Sequence, residues 1–143
     1  MNTKEYEELA QKTSTTTWWV DKLLNGTLGL SGEAGEFADH VKKWKYQGHK
    51  LDTEHLTHEL GDILWYIVEA ATALDTTLDE IMELNIRKLE TRYPDRCFDA
   101  ARSLNRKREE AIYKALNVSG QAVDSIRADA EEQFKAYIEE DDQ

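Results

Sequence analysis

The sequence predicts an all-α fold, a compact helical bundle, and three observations carry that prediction. A single proline, Pro94, leaves residues 1–93 free of the residue that most strongly breaks helices, and a hydrophobic content of 40% with seven glycines suits a helix-rich globular chain. Apolar residues recur at helical spacing through residues 27–47 and again through residues 53–74. Thr77-Leu-Asp-Glu80 has the form of a capping box that opens a third long helix. A chain of 143 residues fits one domain with a single core.

Taken in order, residues 3–12 form a short first helix with Tyr6, Leu9 and Ala10 on one side. Ser14 to Thr17 interrupt it, because hydroxyl residues favour caps and turns over helix interiors. Trp18, Trp19, Val20, Leu23 and Leu24 make a second short apolar piece, which Asn25-Gly26 closes. Neighbours on a helix diverge by about 100°, so the two tryptophans divide between packing and an edge; one of them, or Trp65, is a candidate for stacking a flat ligand.

The helix over residues 27–47 stops at Gly48. With Glu33 at zero and a step of about 100° per residue, Leu30, Ala34, Phe37, Val41 and Trp44 share one apolar sector. Glu33, Glu36, His40 and Lys43 lie in a polar sector beside it. The helix over residues 53–74 has the same layout at an offset of 26 residues: Leu56, Leu60, Ile63, Ile67, Ala70 and Leu74 are apolar, and Glu59, Asp62, Tyr66 and Glu69 line the margin. Joined by the short loop 48–52 and packed antiparallel, the two helices share an apolar seam with both carboxylate pairs along one edge.

In the third helix Met82, Ile86 and Leu89 form the core stripe, with Asn85, Lys88 and Arg92 together beside it, and Tyr93-Pro94 ends the helix. Residues 95–105 read as a loop with a turn of helix, anchored by Phe98 and Leu104. Two further helices are expected over residues 107–116 and 119–140.

Charge and cysteine usage exclude several functions. The formal charge of −11 disfavours nucleic acid as a partner, since binding it depends on neutralising phosphates. Residues 109–143 hold ten Asp or Glu against three Lys or Arg, a net of −7, so most of the excess lies in the tail. The one cysteine, Cys97, cannot form an internal disulfide and suits a reducing compartment. No apolar run approaches the roughly 20 residues of a spanning helix and the N-terminus carries no signal, so no membrane partner is expected and the cytoplasm is the expected location.

Chemistry concentrates between Glu33 and Asp62, where Glu33-Ala-Gly-Glu36 and Glu59-Leu-Gly-Asp62 are separated by 22 residues. Residues three apart on a helix share a side, so each pair is a two-point oxygen donor. Four carboxylates repel one another, and hard dications relieve that repulsion while also binding substrate phosphates. Gly35 and Gly61 each cost a helix about 1 kcal/mol relative to Ala, which close approach of a helix or a ligand would offset. No Glu has a His three residues later, as a ferritin-like di-iron site requires. His55-x-x-His58-Glu59 is not the zinc-protease order either. His40, on the carboxylate stripe, is the histidine closest to this chemistry.

The blocks Leu28-Gly-Leu-Ser-Gly-Glu33-Ala-Gly-Glu36, Glu59-Leu-Gly-Asp62-Ile-Leu-Trp-Tyr66 and Asn85-Ile-Arg-Lys88-Leu-Glu-Thr-Arg92-Tyr93-Pro94 resemble, in order, the three signatures of the MazG-like nucleoside triphosphate pyrophosphohydrolases. That superfamily includes dimeric dUTPases and dCTPases. The resemblance implies a family domain over residues 1–98; by charge and spacing, residues 99–143 are expected to be an acidic helical C-terminal extension. It also implies an all-α bundle, homodimeric or homotetrameric, that cleaves a nucleoside triphosphate between the α and β phosphates with Mg²⁺, or Mn²⁺ in its place. Glu33, Glu36, Glu59 and Asp62 match the family's metal ligands and thereby its catalytic set. Lys43, Asn85, Lys88 and Arg92, with Tyr93 adjacent, match positions associated with phosphate and sugar contacts. The competing expectation is a non-catalytic helical module that binds a nucleotide or docks a basic partner through its acidic tail.

Overall fold

A computed structural model describes residues 1–104, which form five helices: α1 (Thr3–Gln11), α2 (Trp19–Gln47), α3 (Thr53–Ala73), α4 (Leu78–Arg92) and α5 (Ala100–Leu104). No strand occurs among the described residues, as the all-α prediction requires. The chain divides into two compact units, Met1–Leu84 and Asn85–Gln143. The helices expected over residues 107–116 and 119–140 lie outside the described residues. Among those described, no helix is long and apolar enough to cross a membrane.

Local chemistry sets most helix ends. Asn2 caps α1: its side chain accepts from the Glu5 N–H at 2.9 Å, and Glu5 Oε2 accepts from the Asn2 N–H at 3.0 Å. Gly48 ends α2 in the left-handed region at φ 73°, where glycine carries no steric penalty. Asp52 caps α3 by accepting from the His55 N–H at 3.0 Å. The expected capping box at α4 is present, with Thr77 Oγ1 accepting from the Glu80 N–H at 3.2 Å and Glu80 Oε2 accepting from the Thr77 N–H at 2.9 Å. Glu7 of α1 also accepts from the Leu78 N–H at 2.6 Å, which ties the start of α4 to α1.

Two expectations are corrected. Asn25-Gly26 does not close a short helix; α2 runs unbroken through it. Gly26 is buried, and a Cβ there would lie 2.8 Å from the backbone nitrogen of Ala70 on α3. A Cβ on Gly29 would lie 2.1 Å from the Tyr66 ring. These glycines permit close approach between two helices and do not stop one. Gly26, which reads as punctuation in the sequence, is a contact point.

The second correction concerns which face is buried. On α3 the buried positions are Glu59, Val68, Glu69, Ala71 and Ala73, whereas the predicted stripe residues Leu60 and Leu74 are exposed. Trp44 on α2 and Met82, Ile86 and Leu89 on α4 are exposed as well. Because glycines at 26 and 29 let α2 and α3 meet across their small and polar positions, much of the apolar stripe is turned outward. Phe98, the expected loop anchor, is 76% exposed, and its ring lies 5.6 Å from that of Tyr93. The small apolar core consists of Ala10, Val68 and Leu78, with Tyr6, Trp65 and Ile67 packed against it.

Glu69 is fully buried and organises the N-terminal part of the first unit. Its Oε1 accepts from Ser14 Oγ at 2.8 Å and Thr16 Oγ1 at 2.5 Å, and its Oε2 accepts from Gln11 Nε2 at 3.0 Å. Lys22 Nζ stands 3.5 Å from Oε2 and donates to Gln11 Oε1 and Ser14 Oγ, both at 2.9 Å. The end of α1, the hydroxyl run and the first turn of α2 therefore all converge on one carboxylate of α3. Burial alone raises a carboxyl pKa, but donation from Thr16, Ser14 and Gln11 and the charge of Lys22 hold Glu69 below its ordinary 4.5.

Gly26→Ala should destabilise the protein by about 1–3 kcal/mol through overpacking. Gly32→Ala, where a Cβ meets nothing within 4 Å, should stabilise it by up to about 1 kcal/mol. Urea midpoints for the pair check this, and equal shifts would contradict the close approach. Removing the Glu69 carboxylate by Glu69→Ala should cost about 3 kcal/mol or more at neutral pH. A depressed folded pKa gives stability that is present above 4.5 and lost as pH falls through the lower folded value. The gap between wild type and variant should accordingly narrow in acid; a gap independent of pH would show that the charge is not what matters.

Candidate metal centre

Helices α2 and α3 run antiparallel: Gly26 meets Ala70 at one end, and His40 meets His55 at the other. Between these contacts lie the two carboxylate pairs. Glu33, Glu36 and Glu59 each offer an oxygen within 4.8 Å of the others. Glu59 is buried, Glu33 half-buried and Glu36 exposed. Asp62 is exposed and lies outside this group of three, yet it is near enough for its charge to act on Glu33.

Electrostatics at this cluster are unfavourable without a cation. Burial raises the Glu33 pKa above 4.5, and repulsion from Glu36 and Asp62, then a hydrogen bond with Glu59 and the charge of Glu59, raise it further. The Tyr6 hydroxyl is pushed above 10.0 by burial and then by Asp62, so it stays protonated beside that carboxylate. Glu59 Oε2 is buried with no hydrogen-bond partner, a costly state that a hard cation would relieve. A Cβ at Gly35 or Gly61 would meet nothing within 4 Å. Open space therefore adjoins each of these glycines. An all-oxygen donor set with a buried, unpartnered oxygen fits Mg²⁺ or Mn²⁺.

The remaining predicted residues are distributed as follows. Lys43 Nζ lies 2.5 Å from Asp39 Oδ2, and Lys42 pairs with the same carboxylate; the two lysines bring Asp39 down to about 2. Asn85, Lys88 and Arg92 lie on α4 within the second unit, as does Tyr93 just after it. Asn85 is exposed and the other three are half-buried, with the Arg92 guanidinium 5.8 Å from the centre of the Tyr93 ring. Trp65 donates its Nε1–H to Thr13 Oγ1 at 2.8 Å and to the Ala10 carbonyl at 3.2 Å, which commits it to holding α1. Trp18 and Trp19 are both half-buried, edge to face with centroids 6.5 Å apart.

One contact was not anticipated from sequence: the His40 and His55 rings have centroids 3.9 Å apart, and His55 Nε2 is 2.9 Å from Glu59 Oε1. The available signal was that His40 shares the carboxylate stripe on α2 while His55 sits four residues, one turn, before Glu59 on α3.

A family model for the MazG nucleotide pyrophosphohydrolase domain matches residues 23–97, a span that includes both carboxylate pairs and the block from Asn85 to Tyr93. The chain belongs to the MazG family. A relative from Mycobacterium phage L5, described as Gene 37 protein, is 40% identical over 77 residues, covering 51% of this chain and 68% of its own length. No solved structure matches significantly. At the level of the family, the MazG match supports a nucleotide pyrophosphohydrolase.

The raised Glu33 pKa has a thermodynamic consequence. A carboxyl whose folded pKa lies above its unfolded value contributes stability that is complete below 4.5 and lost as pH rises through the folded value. A cation bound at this cluster would compete with that proton. Mg²⁺ at about 100 times its Kd should raise the melting temperature by about 5 °C or more at neutral pH, and by much less near pH 4.5. Thermal melts with and without Mg²⁺ at both pH values check this. An equal gain at both would show that the cation does not compete with that proton.

Proposed function

We propose that the protein hydrolyses a nucleoside or deoxynucleoside triphosphate to the monophosphate and pyrophosphate, using Mg²⁺ or Mn²⁺. The observation that carries this reading is the group Glu33, Glu36 and Glu59, with a buried oxygen of Glu59 lacking any partner, inside a MazG domain.

Glu33, Glu36, Glu59 and Asp62 would hold the cation. When bound, it supplies positive charge against the phosphoryl oxygens and makes an attacking water more acidic. Glu33 or Glu36 would help to take that water's proton. The water oxygen bonds to the α phosphorus, the bond from that phosphorus to the bridging oxygen breaks, and the electron pair leaves with pyrophosphate. Lys43, Lys88 and Arg92 would neutralise charge along the phosphate tail, with Asn85 and Tyr93 contacting phosphate or sugar.

The assembly we propose is a homodimer or homotetramer. Leu24, Leu28, Leu60 and Leu64 are exposed on α2 and α3, and packing a second copy over apolar surface of this kind would bury it. The excess of acidic residues favours a small nucleotide held through a cation over a polyanion bound directly.

Glu36→Ala and Asp62→Ala should each lower turnover by about a hundredfold or more while leaving the helical circular dichroism intact. A panel of ribo- and deoxynucleoside triphosphates with Mg²⁺ or Mn²⁺, assayed for pyrophosphate and monophosphate, is the measurement. Wild-type pyrophosphate release by the Asp62 variant would overturn its assignment. Binding without product across the whole panel would overturn the hydrolytic reading.

A further inference from the structure

At the loop end of the α2–α3 pair, beyond the oxygen cluster, lies a second group of donors with different chemistry. His40 on α2, His55 in the first turn of α3 and Glu59 one turn later each offer one ligand atom, and the three atoms lie within 4.8 Å of one another. The two imidazole rings are 3.9 Å apart at their centroids with planes inclined at 55°. His55 Nε2 is 2.9 Å from Glu59 Oε1 but off the line of a hydrogen bond. Both His55 Nε2 and Glu59 Oε2 are buried without a hydrogen-bond partner, and the Glu59 side chain is only 6% exposed.

Buried polar atoms normally find a proton donor or acceptor, so His55 Nε2, unmatched beside the His40 ring and Glu59 Oε1, points to a missing partner that accepts lone pairs. A cation accepts lone pairs from imidazole nitrogen and carboxylate oxygen alike. Imidazole donors suit zinc, cobalt, nickel and copper, whereas Mg²⁺ takes an all-oxygen shell and sheds its waters reluctantly. Two histidines and one carboxylate are also a recurrent protein donor set for Zn²⁺ that leaves the fourth position open.

We propose that His40, His55 and Glu59 form a binding site for a borderline transition-metal dication of the Zn²⁺ or Co²⁺ class. Glu59 is then a shared ligand: one oxygen serves the histidine side and the other the cluster with Glu33 and Glu36. The site does not depend on the hydrolytic reading, because its two imidazole donors and its metal class differ from those of the oxygen-only set, with which it shares Glu59 alone.

The test is a titration of the full chain with Co²⁺ in the presence of excess Mg²⁺, following visible ligand-field absorption and binding heat. One equivalent should bind, with affinity reduced about tenfold or more in His40→Asn and in His55→Asn. Affinity should be retained when the exposed His49 and His58 are replaced by Asn, and in Glu36→Gln. Three results would overturn the site: no stoichiometric binding, binding lost with His49 and His58, or binding lost in Glu36→Gln but unchanged in the His40 and His55 variants. If either histidine variant fails to fold, X-ray absorption of the Zn²⁺-loaded wild type decides. Two imidazoles in the metal's shell support the site, and a shell of oxygens alone overturns it. Nucleotide hydrolysis is not a readout here, so failure of this site and failure of the hydrolytic reading remain separate outcomes.

Discussion

The close approach of α2 to α3 is the constraint on which the rest of the first unit depends. Gly26 against Ala70 and Gly29 against Tyr66 leave no room for a Cβ, so the two helices meet across small and polar positions. That meeting places Glu59 and Glu69 in the interior, although carboxylates are among the residues least often buried. It also turns Leu60 and Leu64 outward. An ordinary amphipathic pair would have done the reverse, with its leucines in the seam and its acids in water.

The two buried carboxylates of α3 are then resolved in opposite ways. Glu69 is saturated: Ser14, Thr16 and Gln11 donate to it and Lys22 balances its charge, so the protein itself offsets the cost of desolvation. Glu59 has no such set; one of its oxygens has no hydrogen-bond partner, and its neighbours are two more carboxylates and two histidines. The donors that satisfy Glu69 all come from residues 11–22, before the MazG match begins at residue 23. On one helix, the N-terminal segment completes Glu69, whereas Glu59, which lies within the same matched span, has no such set of donors.

Much of this was legible in the sequence, for identifiable reasons. Caps are local, so the Thr77–Glu80 box and the Gly48 stop follow from a few adjacent residues. The two carboxylate pairs were legible because spacing and phase repeat at an offset of 26 residues. Gly26 was misread, since a glycine that ends a helix and one that admits a neighbouring helix look alike until the neighbour is known. The buried face was misread for the same reason: periodicity finds an apolar stripe but does not say whether this chain covers it. His55 gave only a weak signal, because its contact with His40 joins residues fifteen apart across a loop.

The outward apolar stripe and the inward acids are two sides of one arrangement. Burying carboxylates costs stability unless each is compensated, and exposing leucines forgoes burial worth about 25 cal/mol per Å². A single chain that does both forgoes stability twice, and the small core of Ala10, Val68 and Leu78 does little to offset it. A cation at the Glu33–Glu59 cluster would compensate the acids, and a second copy over α2 and α3 would cover the leucines. Each event would favour the other wherever both stabilise the same helix pair, because stability supplied by one partner raises the population competent to bind the next. Under the proposed function the metal, the assembly and the fold would be linked equilibria, and the glycine contacts between α2 and α3 would be the geometric reason for the link.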